Sequence, residues 1–167
     1  RDFCLSRGLG DVYKRQMSSS TGYGNDALAN NTGFQAAGFG VSTLQSNSAQ
    51  YNTAVGAYAL GKNTHGSSNT AVGTSSLVSN LSGSYNTAQG SGSLCLNVSG
   101  SNNTAVGANA LENTMGDNNV AVGSQALYTN TASNNTAVGA NALKQNTAGT
   151  QNVAVGVSAL KNNTASD

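Results

Sequence analysis

Asn52-Thr53-Ala54-Val55-Gly56-Ala57-Tyr58-Ala59-Leu60 is the stretch on which the reading of this chain turns. It returns almost unchanged at residues 103–111 and 135–143, and in looser form along the rest of the sequence. Aligning every copy on its glycine gives Gly24, Gly40, Gly56, Gly73, Gly90, Gly107, Gly123, Gly139 and Gly156, in steps of 16 or 17 residues. Four residues after each glycine stands a leucine: Leu28, Leu44, Leu60, Leu77, Leu94, Leu111, Leu127, Leu143 and Leu160. Nine copies without a miss at either position define a stacked array, because a fixed period of this size makes each repeat one structural unit leaning on its neighbours.

Within a copy, the constrained positions alternate. The opening Asn recurs as Asn52, Asn69, Asn86, Asn103, Asn119, Asn135 and Asn152, and the Ala two residues on is equally regular. Then comes Val in six copies, replaced by Gln89 once and by Tyr23 and Phe39 in the first two. Alternation suits a short strand, whose successive side chains point to opposite faces. Thr53 and Val55 share one face, and Ala54 and Gly56 the other. Two residues after the glycine almost any residue is accepted, Asp26, Tyr58 and Gly92 among them, so this position is expected to face solvent. Residues 57–60 read as a second short strand or a bend that turns Leu60 into a core.

A second polar step follows, seen at Asn63-Thr64-His65-Gly66 and Asn146-Thr147-Ala148-Gly149. Asn tolerates left-handed backbone and bonds its own main chain, and Gly takes positive φ freely, so this step reads as a turn. Each unit is therefore strand, bend, short strand, turn. A helix is excluded: nothing sustains a 3.6-residue period, and Gly, Asn and Thr are too dense. The expected fold is all-β, a parallel β-solenoid of about nine rungs of 16–17 residues spanning residues 17–167. Rungs about 4.8 Å apart give a rod of roughly 40 Å. Its structural ladders are the glycines from Gly56 to Gly156, the leucines from Leu60 to Leu160 and the asparagines Asn52, Asn69, Asn103, Asn135 and Asn152, whose amides are expected to bond from rung to rung. A lone rung buries too little to repay the entropy of ordering it, so neighbours are essential. The outward Val face needs cover of its own, and a rod with one apolar stripe is suited to lateral assembly.

Composition agrees. Only 8% of the 167 residues are charged, 5% are aromatic, and there is no Trp and no Pro. Ordinary domains carry about 25% charged residues around a core of large side chains. Missing prolines fit a backbone whose donors are engaged in ladders. A net charge of +1 argues against a nucleic-acid surface. No apolar run reaches the roughly 20 residues that span a bilayer, so no direct membrane insertion is expected.

Residues 1–16, RDFCLSRGLGDVYKRQ, are foreign to the array and hold four of the chain's seven basic residues. They lack the apolar segment of a signal peptide. They closely resemble translated sequencing-adapter read-through and are set aside as a non-native, unstructured leader. The array ends in mid-repeat, and the chain is expected to be a fragment of a longer fibre protein. Cys4 lies in the leader and Cys95 stands alone, which gives neither a disulfide framework nor metal spacing.

The repeated Asn-Thr-Ala-Val-Gly-x-x-Ala-Leu resembles the head repeats of trimeric autotransporter adhesins. It is similar also to repeats of phage tail-fibre and fibre-like surface proteins, which often precede an intramolecular-chaperone peptidase domain. The resemblance covers residues 20–167. It implies a left-handed parallel β-roll, a homotrimer of side-by-side chains, and attachment to a host surface glycan or protein. The location it implies is the cell surface, outer-membrane-anchored, or a virion tail fibre. The adhesin head repeat is shorter and lacks this regular Leu, which leans the comparison toward the fibre variety.

Chemistry is not expected. His65 is the only histidine and occupies a turn position where another copy has Ala148. Acidic residues are scattered over different repeats, so no carboxylate pair is indicated. Gly22-Tyr23-Gly24 and Gly38-Phe39-Gly40 are repeat variants, without a phosphate-loop or dinucleotide context. The expectation is no enzyme, no catalytic residue, no cofactor and no metal. Tyr58 and Tyr128, at variable positions, are candidate surface contacts for sugars, with Tyr51 and Tyr85 beside the ladder Asn. Two alternatives stand beside the adhesive fibre. One is a passive spacer in a surface or virion fibre. The other is an ice-binding solenoid presenting the Thr53, Thr70, Thr87, Thr104 and Thr136 hydroxyls, a row interrupted by Val120 and Val153.

Overall fold

The computed structural model describes residues 20–163; the leader at residues 1–16, Cys4 and Met17 lie outside the described residues. The described chain is all-β, with no helix, and its strands are short. In chain order they are β1 (Thr21–Tyr23), β2 (Ala37–Phe39), β3 (Thr53–Val55), β4 (Thr70–Val72), β5 (Thr87–Gln89), β6 (Thr104–Val106), β7 (Asn113–Thr114), β8 (Val120–Val122), β9 (Thr129–Asn130), β10 (Thr136–Val138), β11 (Gln145–Asn146) and β12 (Val153–Val155). The nine three-residue strands form one parallel sheet in the order β1-β2-β3-β4-β5-β6-β8-β10-β12, and β7, β9 and β11 form a second. Register is rung on rung: Thr53 lies beside Thr70, Ala54 beside Ala71 and Val55 beside Val72. The chain is a parallel β-solenoid repeat protein.

Why each phrase forms a rung is visible in its backbone. Gly56 has φ +123°, and a Cβ there would stand 2.7 Å from the carbonyl carbon of Gly73. Both its conformation and the approach of the next rung therefore exclude any other residue. Past the glycine the chain bends. Tyr58 and Leu60 have φ of +62° and +50°, so residues 57–60 are a bend, not a strand. The second strand starts two residues after the leucine, and it is formed at β7, β9 and β11. The main-chain ladder runs on in the earlier rungs, where Lys62 N–H donates to Val78 O at 3.2 Å.

All nine leucines sit at φ between +46° and +55°. For a non-glycine residue that conformation costs roughly 1–2 kcal/mol. Burying a Leu side chain contributes about 1.5–3 kcal/mol, which offsets it. From Leu44 to Leu143 every one of them is fully buried, packed against Ala54, Ala71, Ala88 and their equivalents in one continuous core. Leu160, in the last described rung, is 45% exposed. The variable position after the glycine does not simply face solvent. It is a left-handed corner, half-buried in most rungs and buried at Ser42, while Tyr58 is exposed.

The other half of the interior is asparagine. One ladder is the phrase-opening Asn. Asn69 N–H donates to Asn52 Oδ1 at 2.9 Å, and Asn69 Nδ2 donates to Gly83 O at 2.8 Å. The first of these bonds recurs at Asn86, Asn103, Asn119, Asn135 and Asn152. The second ladder is the third residue after each leucine. Asn47, Asn63, Asn80 and Asn97 each donate Nδ2 to the Oδ1 one rung below, at 2.6–2.9 Å, and to the carbonyl that closes their own turn. Buried amides are stabilising when paired in this way, and in this ladder Asn97 Oδ1 is an exception, with no partner among the described residues.

The turn after this second ladder absorbs the difference between 16 and 17 residues. Asn47 reaches the carbonyl two residues on, at Ala49, whereas Asn63 reaches the one three residues on, at Gly66. His65 occupies the longer turn, exposed, with Nδ1 3.0 Å from Thr64 Oγ1.

Candidate interaction surface

The alternation of the strands decides which surface is offered. In β3, Ala54 is buried while Thr53 and Val55 point outward, and the pattern repeats in β4 and β5. Stacking turns these positions into two parallel columns. One is Thr21, Ala37, Thr53, Thr70, Thr87, Thr104, Val120, Thr136 and Val153. The other is Tyr23, Phe39, Val55, Val72, Gln89, Val106, Val122, Val138 and Val155. Val55, Val72, Val122 and Val138 are each more than a third exposed. Among the described residues no charged side chain stands on this face: Asp26, Lys62, Glu112, Asp117, Lys144 and Lys161 all lie elsewhere. Parallel sheets are ordinarily covered on both faces. Among the described residues this one is covered on its inner face only.

The sequence-derived contact residues are not brought together. Tyr58 lies on the corner after the glycine and is exposed. Tyr128, next to the buried Leu127, belongs to a different column four rungs further on, about 19 Å along the rod. It is half-buried, with Lys144 Nζ 5.8 Å from its ring centroid, a cation–π arrangement. Lys144 also donates to Gln125 Oε1 at 2.8 Å. Tyr51 and Tyr85 share one left-handed corner, both at φ +59° and exposed, two rungs or about 10 Å apart.

Sequence reasoning missed a second apolar patch. Leu81, Leu96, Val98 and Met115 are exposed on the middle rungs, at positions that are polar in most other copies. A shallow cleft of about 190 Å³ there is lined by Leu96, Asn113, Thr114, Met115, Thr129 and Thr131. Counting from the leucine would have aligned Leu81, Val98 and Met115, each four residues after it.

No group of three or more His, Cys, Asp or Glu side chains able to hold a metal occurs among the described residues. Cys95 is a half-buried free thiol. Burial, and secondarily Glu112, push its pKa up, while Lys62 acts in the opposite sense. No helix among the described residues is long and apolar enough to cross a membrane. Compared with family models, curated proteins and solved structures, the chain matches none.

Proposed function

We propose that this chain is a non-enzymatic segment of an adhesive fibre, in which three copies lie side by side and bury the Thr/Val sheet face against one another. The uncovered, charge-free outer face of the parallel sheet carries this reading. It runs over nine strands, and a partner of the same length and the same rung spacing covers it along its whole length. A second copy of the chain has both. The motif's resemblance to adhesin heads and tail-fibre repeats points the same way, toward a fibre on a cell surface or virion that attaches to a host glycan or protein through residues left outside the assembly. Tyr58, Tyr51 and Tyr85 are such residues.

Sedimentation of the purified full chain tests the assembly. A mass of three chains, captured by brief cross-linking, is expected; a mass of one chain at all concentrations rejects it. Attachment is tested by binding of the assembled chain to immobilised glycans and host-cell surfaces. Failure there with assembly intact favours the passive spacer. The ice-binding reading draws on the same face, where Thr53, Thr70 and Thr87 stand in register and exposed. The two compete, since an assembly that covers the face removes the hydroxyl row from water. Thermal hysteresis from single chains would favour ice binding.

A further inference from the structure

We infer that Gln89 sets the axial register in which copies of this chain assemble, an inference that rests on the side-by-side assembly proposed above. Repetition creates the difficulty that Gln89 answers. Each rung presents nearly the same Thr and Val, so a neighbour displaced by one rung, about 4.8 Å, again sets Val against Val. Apolar contact is non-directional and scales with area. A one-rung slip therefore forfeits only the overlap at the two ends, and the stripe holds copies together while hardly choosing among registers.

Gln89 breaks the repetition. It lies at the middle of the rod, outward and exposed, in register with Val72 below and Val106 above. Its amide carries both donors and an acceptor. When copies align, the Gln89 amides meet at one height and donate to one another. When a copy slips by a rung, each amide is pressed against Val72 or Val106 of its neighbour. It then loses water and the amide partner that alignment supplies, keeping only the Thr hydroxyls that every register offers. A single polar residue in an apolar seam specifies register in coiled coils by the same asymmetry. Tyr23 and Phe39 also depart from Val, but they sit at one end and remain apolar.

The test uses the full chain with both cysteines replaced (C4S, C95S). One preparation carries Val106→Cys and another Val122→Cys, which stand on adjacent rungs. The two are unfolded, mixed, refolded and mildly oxidised, and the disulfides are identified by mass spectrometry. A disulfide needs Cα atoms within about 7 Å, so aligned copies form same-rung bonds, and the mixed 106–122 bond reports slippage. With Gln89 present, same-rung bonds are expected to dominate. Gln89→Val is expected to raise the mixed bond about tenfold, and Gln89→Asn to restore the original pattern. The Val variant is expected to fold, because six other rungs carry Val at this position. An assembled Gln89→Val protein with an unchanged disulfide pattern overturns the inference alone. A single-chain mass before oxidation overturns the assembly and the inference together.

Discussion

Thr114→Asn is expected to make the solenoid more stable. The second asparagine ladder holds Asn31, Asn47, Asn63, Asn80 and Asn97, then Thr114, then Asn130 and Asn146. Thr114 is buried but too short to continue the chain of amides. Asn97 Oδ1 and Thr114 Oγ1 are consequently buried without a hydrogen-bond partner among the described residues. An Asn at 114 would donate to Asn97 Oδ1 as Asn97 donates to Asn80 at 2.9 Å. Its own oxygen would accept from Asn130, whose amide now donates to Ala132 O. Pairing a buried acceptor recovers about 1–3 kcal/mol, and each new bond adds about 0.5–1.5 kcal/mol, so a gain of about 2–4 kcal/mol is expected. In a chain of this size that corresponds to roughly 5–12 °C in Tm. Because solenoid stability is a sum over neighbouring rungs, amide exchange should slow most at Asn97, Thr114 and Asn130. Thr114→Val, which keeps the shape and removes the orphaned hydroxyl, is expected to be neutral or mildly stabilising. A neutral or destabilised Thr114→Asn, or a loss above about 1 kcal/mol in Thr114→Val, would refute the reasoning, since either means the hydroxyl is already paired.

Other perturbations follow from the same geometry. Leu77, fully buried at φ +50°, is expected to cost about 2–5 kcal/mol on change to Ala. Leu77→Gly is expected to be no worse than Leu77→Ala, inverting the usual order, because Gly adopts that φ freely; urea unfolding decides, and a Gly variant less stable than Ala by about 1 kcal/mol contradicts the left-handed corner. Deleting His65 converts its rung to the shorter turn of the Asn47 rung and is expected to cost under about 1 kcal/mol, whereas deleting Ala57 moves Leu60 out of the core and should abolish cooperative unfolding of the neighbouring rungs. Glu112→Gln removes a negative charge that disfavours the Cys95 thiolate. The thiol pKa should fall, and iodoacetamide labelling at pH 8 should quicken by roughly twofold or more; an unchanged rate would leave burial as its whole cause.

The sequence by itself determined the period, the columns and the faces of this protein. Residues one rung apart stack, so a chemical requirement at one place in the coil recurs every 16 or 17 residues and is legible without coordinates. Gly56, Leu60, Ala54 and Asn52 were identifiable for that reason, and Thr53 and Val55 were assigned to one face by alternation alone. The tertiary structure decided what depends on contact between rungs. Asn113-Thr114-Met115-Gly116 looks like the turn Asn63-Thr64-His65-Gly66, yet Thr114 and not Asn113 enters the ladder, because register is counted from the buried Leu111. Likewise the positive φ of the leucines, kept even by Leu160 in the last described rung, falls on a residue type that ordinarily avoids it, and the half-burial of the corner after the glycine comes from neighbouring rungs distant along the chain.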